Sequence, residues 1–367
     1  MRRRAVDRQG VPGNRGGDAL NVGLTPADDA RHRMRAPLSY EWWYFDAAFS
    51  DGHGVVAIIW PMNYSKPWRR QCTVQLSIYT PEGGCHKDYA FPARRLFSAS
   101  YNTCDVTVGD SFMRGAWPRY EVRVASGGLE VDLEFEARTP GWKPGTAVNY
   151  LPFPLFKSMG WLVPLPVASV SGMLRYGGRE LSVEGHGYHD HNWGEAPIFH
   201  MVDNWNWGHL VSGDLAVTWA DITMYRGIGF ERTYMLLVSH GDRLVYESPS
   251  LRVDYSDWRR EPGYLHPYPA TVSVSFGSRS EPVNGALTMS VQRVVETQDL
   301  LQMVGIPDLL ERLVHRFIAK PYYFRWDSLV KGSVEMEGRR FDIDGRTIHE
   351  QMLFRGRMPE RLARDAL

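Results

Sequence analysis

The chain has 367 residues, 43% of them apolar, and its 42 Lys+Arg balance 42 Asp+Glu. That length holds one large or two medium domains, and zero net charge argues against a dedicated nucleic-acid binder. No apolar run reaches the ~18 residues of a membrane helix; Cys72, Cys85 and Cys104 form no CxxC pair, which argues against a disulfide framework or a thiolate zinc site.

Residues 1–36 hold eight Arg, four Asp and few apolar side chains, and read as a flexible basic arm. Met1-Arg2-Arg3-Arg4 is followed by a polar, Gly-rich stretch, so no secretion signal is read. With so few cysteines, a reducing, cytoplasmic setting is expected. From Pro37 onward strands dominate. His53 to Trp60, Gln71 to Tyr79, Arg119 to Ala125 and Leu129 to Ala137 are rich in β-branched and aromatic residues, and several alternate with period two. Ser50-Asp51-Gly52, Pro81 to Gly84 and Ser126-Gly127-Gly128 supply the turns between them.

Asn149 to Val167 is apolar and carries four prolines. Proline at that density argues against a helix or a central strand. The segment is expected to be an ordered apolar loop, packed on the strands or acting as a lid. The strand pattern resumes in Leu215 to Tyr225, Thr233 to Ser239, Leu287 to Val295, Val330 to Glu337 and Thr347 to Phe354. One helix stands out, Ile306 to Ile318, with Leu309, Leu310, Leu313, Val314 and Phe317 on one stripe. That stripe is expected to pack on a barrel. Many short strands at this spacing predict an all-β barrel or sandwich. The division read is an arm (1–36), an N-terminal β domain (37–200) and a C-terminal β domain (201–367), the two β-rich halves weakly echoing each other.

Three segments hold the residue types that do chemistry. In Tyr40 to Asp46, Glu41, Trp43 and Phe45 share one strand face, and Trp42, Tyr44 and Asp46 the other. A carboxylate among four aromatics needs a partner, so Glu41 is structural or a reserve acid. Glu184 to Gly194 places three His, one Asp and one Glu within eight residues. Alternation groups Glu184, His186, Tyr188 and Asp190 against His189, His191 and Trp193, with the glycines warning of bulges. The histidine spacing would suit a metal, but no HExxH helix or distant matching carboxylate accompanies it. No metal is therefore assigned. Acid–base work by a carboxyl tuned by imidazoles, or a structural hydrogen-bonded knot, are the other readings. In the third segment Asp203, Trp205, Trp207 and His209 share a face, and one strand on Trp219, Asp221, Thr223 and Tyr225 do the same. Such walls suit an extended apolar substrate or a cation, and equally a plain core. No GxGxxG, GxxxxGK[ST] or GxSxG pattern is present in a suitable context.

At EWWYFD (Glu41 to Asp46) and GHGYHDHNWG (Gly185 to Gly194) the sequence resembles the AttH-like and carotenoid 1,2-hydratase (hydroxyneurosporene synthase) superfamily. Gly345 to Glu350 matches its closing strand more loosely, and the matches span residues from about 38 to 355. The resemblance implies an all-β fold of two lipocalin-like β-barrel halves, with one short helix in the C-terminal half. It also implies catalysis without a metal or nucleotide cofactor, on an apolar substrate held near the junction of two barrels. Carotenoid hydratases in that superfamily add water across the terminal double bond of an acyclic isoprenoid, and fungal relatives include Diels-Alderase-type cyclases.

On this resemblance the chain is expected to be a hydratase or proton-initiated cyclase of an isoprenoid or other polyene. Asp190 would protonate a C=C bond to a tertiary carbocation, His189 or His191 would orient the acid and take a proton from water, and Glu41 or Glu184 would stand in reserve. Trp42, Trp43, Tyr44, Tyr188, Trp193, Trp205, Trp207, Trp219 and Tyr225 would line the substrate, Trp rings steadying the cation. Glu41 and the 184–193 and 203–209 segments should then converge on one cavity. A pericyclase-like cyclase of a polyketide or terpenoid, and a non-enzymatic lipocalin-like binder, are the alternatives. The expected partner is a hydrophobic small molecule, with no nucleic acid and with peripheral membrane contact for substrate uptake.

Overall fold

The computed structural model describes residues 23–144, 148–150, 158–225, 232–248, 250–278, 280–305, 307–317 and 320–355. Two antiparallel sheets account for most of them. The first holds β1 (Tyr40–Phe49), β2 (Gly54–Trp60), β3 (Thr73–Tyr79), β4 (Cys85–Ala90), β5 (Phe97–Ala99), β6 (Cys104–Val108), β7 (Ser111–Ala116), β8 (Arg119–Ser126), β9 (Leu129–Ala137), β10 (Val148–Tyr150), β11 (Ser158–Tyr176) and β12 (Arg179–Gly194). The second holds β13 (Val202–Ser212), β14 (Leu215–Met224), β15 (Arg232–His240), β16 (Arg243–Ser248), β17 (Arg252–Arg259), β18 (Tyr268–Phe276), β19 (Val283–Asp299), β20 (Tyr322–Met336) and β21 (Arg339–Leu353). Among the described residues strands make up 65% and helix 7%, which rules out a helix-wound parallel sheet. The fold is all-β, built of two curled half-barrels.

Period-two patterning builds these strands. In β8 Tyr120, Val122 and Val124 turn inward while Arg119, Glu121 and Arg123 face water. Each sheet is arranged by the same rule: its first strand pairs antiparallel with its last, β1 with β12 and β13 with β21. The first sheet curls until β3 packs across β8 and β9. Its interior is filled by Phe45, Leu76, Met113 and Leu133, and that of the second by Trp219, Leu236, Val272 and Met289. A third apolar cluster joins the two sheets, with Tyr44, Ile58, Tyr79, Trp161 and Tyr188 from the first and Trp207, Met235 and Leu237 from the second.

Three sequence expectations need correction. Residues 1–22 of the expected arm lie outside the described residues, but the rest of it is not loose. Asp29 is 1% exposed, and its backbone oxygen accepts a bond from the Trp43 indole at 3.2 Å. Burial was missed because one buried Asp among arginines leaves no periodic trace. The proline-rich stretch, of which 151–157 lies outside the described residues, becomes from Ser158 the central strand β11, between β12 and β9. Pro164 and Pro166 fit because the β11–β12 register shifts between Leu162 and Leu165 and again between Leu165 and Ala168; a bulge leaves residues that need not donate to the ladder. Finally, the expected helix is present as α2 (Asp308–Phe317), just after the five-residue α1 (Leu300–Val304), but its packing differs. The α2 stripe does not pack on a barrel: Leu309 is 73% exposed, and Leu310 and Leu313 are exposed too. No described helix is long and apolar enough to cross a membrane.

Candidate active site

In the β1–β12 ladder Asp190 lies opposite Tyr44, His189 opposite Phe45 and His191 opposite Trp43. Alternation sends Asp190 and its two neighbours to opposite faces. Asp190 and Tyr188 point out of the first sheet, toward the second; His189 and His191 point into the first sheet's interior.

On the outward face Asp190 is buried. Its Oδ2 accepts from the Trp161 indole and the Tyr188 hydroxyl, each at 3.0 Å, and its Oδ1 accepts from the Asn192 amide at 2.9 Å. All three donors are neutral. Burial pushes the carboxyl up to about 7; the bonds from Trp161 and Tyr188 oppose this, and the charges of Glu350 and Asp46 add to it. Tyr44 stands edge-on to Tyr188 and to Trp207, at centroid distances of 6.2 and 5.5 Å. Trp142 stands edge-on to Trp161 at 5.4 Å. The acid therefore sits among aromatic rings supplied by both sheets.

The second sheet brings a charged set to the same junction. Arg325, buried in β20, donates to the Tyr79 hydroxyl and to Glu350, each at 2.9 Å. Glu350 also accepts from the Trp205 indole at 3.0 Å and the Tyr323 hydroxyl at 2.5 Å. Glu296 pairs with Lys87 across the sheets and accepts from Tyr79 at 3.3 Å. His209 of β13 reaches Asp46 of β1 at 2.9 Å. Between Trp207 and His209, Gly208 leaves no room for a side chain, since a Cβ there would lie 2.4 Å from the Trp219 ring.

The inward face carries a separate network. Asp29 faces His189 at 3.0 Å and His191 at 3.2 Å, and accepts from the Tyr120 hydroxyl at 2.9 Å. Glu41 faces His191 at 3.2 Å and His32 at 3.1 Å, and accepts from the His32 backbone at 2.7 Å. Burial alone would lower the His191 pKa, but Asp29 and Glu41 outweigh it and hold it at about 9. Burial alone would raise Glu41 and Asp29; their bonds to the histidines reverse this and keep both below the ordinary carboxylate range. Two triads here, Asp29–Cys104–His189 and His32–Glu41–His191, have ligand atoms within 4.8 Å of one another and are where a cation would fit. Their carboxylates and imidazoles already pair with one another.

The predicted residues therefore separate. Asp190, Tyr44, Tyr188 and Trp207 meet at the junction, and half-buried Trp42 and Trp205 pack beside them. His189, His191 and Glu41 do not reach Asp190, so neither histidine orients that acid. The reason was present in the alternation itself. Glu184 is exposed, three residues before the buried stretch of β12 begins at Gly187, and it reaches no member of either network among the described residues. Trp43 and Trp219 are core residues of the first and second sheets. Trp193 stacks on His32 at 3.7 Å on the inward side, and Tyr225 lies under the Arg355 guanidinium at 4.1 Å. The expected single cavity does not gather all three segments, because Glu41 and Asp190 face opposite sides of one ladder. A cleft of about 630 Å³ elsewhere, lined by Ser126, Leu129, Tyr176 and Arg179 among others, contains none of the predicted residues. Trp161, Arg325 and Asp29 were missed. Arg325 sits in a strand whose pattern gives no hint of a cation, whereas Asp46 and Glu350 lay inside quoted motifs and were passed over.

No family model matches the chain. A hydroxyneurosporene dehydrogenase of Chlorobaculum tepidum is 25% identical over 290 residues, covering 66% of this chain and 72% of that protein. An acyclic carotenoid 1,2-hydratase of Thiocapsa roseopersicina is 25% identical over 245 residues, 59% of this chain and 57% of that one. A quinolone epoxide rearrangement protein of Emericella nidulans is 24% identical over 205 residues, 50% of this chain and 54% of its own. The chain thus spans little more than half of these last two. A solved structure of a putative AttH from Nitrosomonas europaea superposes with TM-score 0.61 at 15% identity, covering 91% of this chain and 99% of that one. Kievitone hydratase from Nectria haematococca gives 0.57 at 14%, covering 90% and 98%. The named relatives and the shared fold support the AttH-like and carotenoid 1,2-hydratase superfamily for this chain. The solved structures share its fold, and the enzymes named among its sequence relatives support an enzymatic, hydratase-like role.

Proposed function

We propose that this chain is an acid-catalysed hydratase or cyclase of a hydrophobic polyene, with Asp190 as the acid. The observation that carries this reading is the Asp190 environment: a buried carboxyl bonded only to neutral donors, with its pKa pushed up to about 7. An alkene is a very weak base, so its acid must be neutral and shielded from water. An ordinary surface Asp, with a pKa near ~3.9, is almost fully ionised at neutral pH.

The step moves the Asp190 proton to one alkene carbon and leaves a tertiary cation on the other. The rings of Tyr44, Tyr188 and Trp207 would face that charge, each worth up to ~2 kcal/mol when desolvated. Water reaching the cation gives an alcohol; a second double bond reaching it first closes a ring. The names of the carotenoid relatives support an acyclic isoprenoid as substrate. The test is to incubate the full chain with acyclic carotenes in deuterated water and weigh the products. One solvent deuteron on carbon is expected. Product formed with no carbon-bound deuteron would replace this reading with a pericyclic one, and binding without turnover would replace it with a carrier.

A further inference from the structure

Hydration needs a second group, one that takes a proton from the attacking water. Neither histidine beside Asp190 in sequence can serve, since both face away from it. A third histidine, on the other sheet, is placed differently. His209 Nε2 lies 2.9 and 3.1 Å from the two oxygens of Asp46. The Tyr44 hydroxyl donates to the same carboxylate at 2.8 Å, fixing it from the side. An ionised carboxylate only accepts, so Nε2 carries a proton, and in the neutral imidazole the lone pair then sits on Nδ1. That Nδ1 atom is buried and has no hydrogen-bond partner among the described residues. A buried acceptor left unpaired is costly unless something else fills it.

The position of the ring says what that something is. The imidazole lies flat on the Tyr188 ring, with centroids 4.5 Å apart and planes 12° from parallel. The Tyr188 hydroxyl is bonded to Asp190 at 3.0 Å. Acid and imidazole thus flank the same phenol, one from each sheet. The Trp207 ring lies 5.5 Å away on the same strand as His209. The titratable groups around His209 are Asp46 and Tyr44 of β1 and His186 and Tyr188 of β12; burial and His209 both lower the His186 pKa.

We propose that Asp46 and His209 form the base of the reaction, a part that rests on Asp190 being its acid. The Asp190 O–H bond breaks as the new C–H bond forms. The water oxygen bonds to the neighbouring cationic carbon, and one water proton passes to His209 Nδ1. Asp46 holds the resulting imidazolium. Exchange with solvent then removes one proton from His209 and returns one to Asp190, so the net change is water added across the double bond. The pair spans β1 and β13, so the base exists only when the two sheets are docked.

The test uses the full chain, an acyclic carotene in detergent micelles and deuterated water, comparing His209→Gln, Asp46→Asn and Asp190→Asn. Gln at 209 keeps a donor toward Asp46 but has no basic nitrogen. Alcohol formation should fall ~100-fold in His209→Gln and by a smaller factor in Asp46→Asn, while deuterium still enters the recovered alkene by reversible protonation. Asp190→Asn should lose both. Imidazole added to His209→Ala should restore part of the alcohol yield, which a merely structural histidine would not allow. If His209→Gln and Asp46→Asn hydrate at the wild-type rate, the base assignment is overturned while the acid stands. If the wild-type product carries no solvent deuteron on carbon, the acid fails and the base with it.

Discussion

Asp190 and Glu350 occupy equivalent places in the two sheets, and only one of them has a cation. Each lies on its sheet's last strand, each follows a histidine, and each pairs with an aromatic residue of the first strand: Asp190 with Tyr44, Glu350 with Trp207. In both, the histidine turns into its own sheet. His349 meets Ser328 at 2.8 Å, and burial pushes it down to about 3, so it stays neutral. Both acids turn toward the junction. Glu350 is bonded there by Arg325, whereas Asp190 meets only neutral donors. Two similar positions thus hold a carboxylate paired with a cation and a carboxyl whose pKa burial raises.

Asp190→Asn keeps the side-chain shape and the acceptor for Trp161 and Tyr188, but removes the transferable proton. Turnover of an acyclic polyene should fall by ~10²-fold or more, the scale of a lost general acid. Substrate affinity, read from quenching of the junction tryptophans, should stay close to that of wild type. Near-full turnover in this variant would place the acid elsewhere.

The raised Asp190 value also sets a pH limb. With Asp190 as the acid, kcat should fall as pH rises through about 7. Glu350 raises the Asp190 pKa, and Glu350→Gln removes that charge while freeing Arg325. The limb of Glu350→Gln should therefore move to lower pH. A limb unmoved in this variant would separate the profile from Asp190.

Glu41 is expected to act on stability rather than on chemistry. Glu41→Gln leaves His191 with one carboxylate instead of two in a buried site, and removing one partner of such a group costs about 3 kcal/mol. The urea midpoint should drop accordingly, while folded protein keeps its turnover. The sign with pH follows from the shifts. His191, raised from 6.5 to about 9, contributes fully below 6.5 and loses its contribution as pH rises through about 9. Asp29 and Glu41, lowered from 3.8 and 4.5, contribute above those values and lose their contribution as pH falls through their lowered ones. Stability should thus be highest between about 4.5 and 6.5, and His191→Gln should flatten the alkaline fall.

Arg325 joins the sheets through Tyr79 on one side and Glu350 on the other. Arg325→Met leaves Glu350 without its cation and Glu296 with Lys87 alone. The expected loss is about 3 to 5 kcal/mol, measured by chemical denaturation. Arg325→Lys should recover only part, because one ammonium cannot reproduce the guanidinium fork.

The α2 stripe gives a contrary expectation. Leu309 and Leu313 are exposed, so Leu309→Ser and Leu313→Ser should each change stability by no more than about 0.5 kcal/mol, the usual range for surface changes. A loss of several kcal/mol would show that this face is covered in solution.

Alternation and turn residues were enough to read an all-β chain, and to read which residues of each strand share a face, because both are local: side chains in a strand point alternately whatever lies around them. The same rule already separated Asp190 from His189 and His191, and the expectation that they cooperate overrode it. Tertiary structure decided the rest. Whether Glu41 is an acid or a buttress depends on Asp29 and His32 folding back over it from a stretch with no periodic signal. Whether Pro164 and Pro166 break a strand depends on bulges set by the neighbouring β12. Why Glu350 is paired with a cation and Asp190 is not depends on Arg325, 135 positions along the chain from Asp190. A carboxyl's chemistry is set by the burial, charges and donors around it, and here those come from strands of two sheets that meet only when the chain is folded.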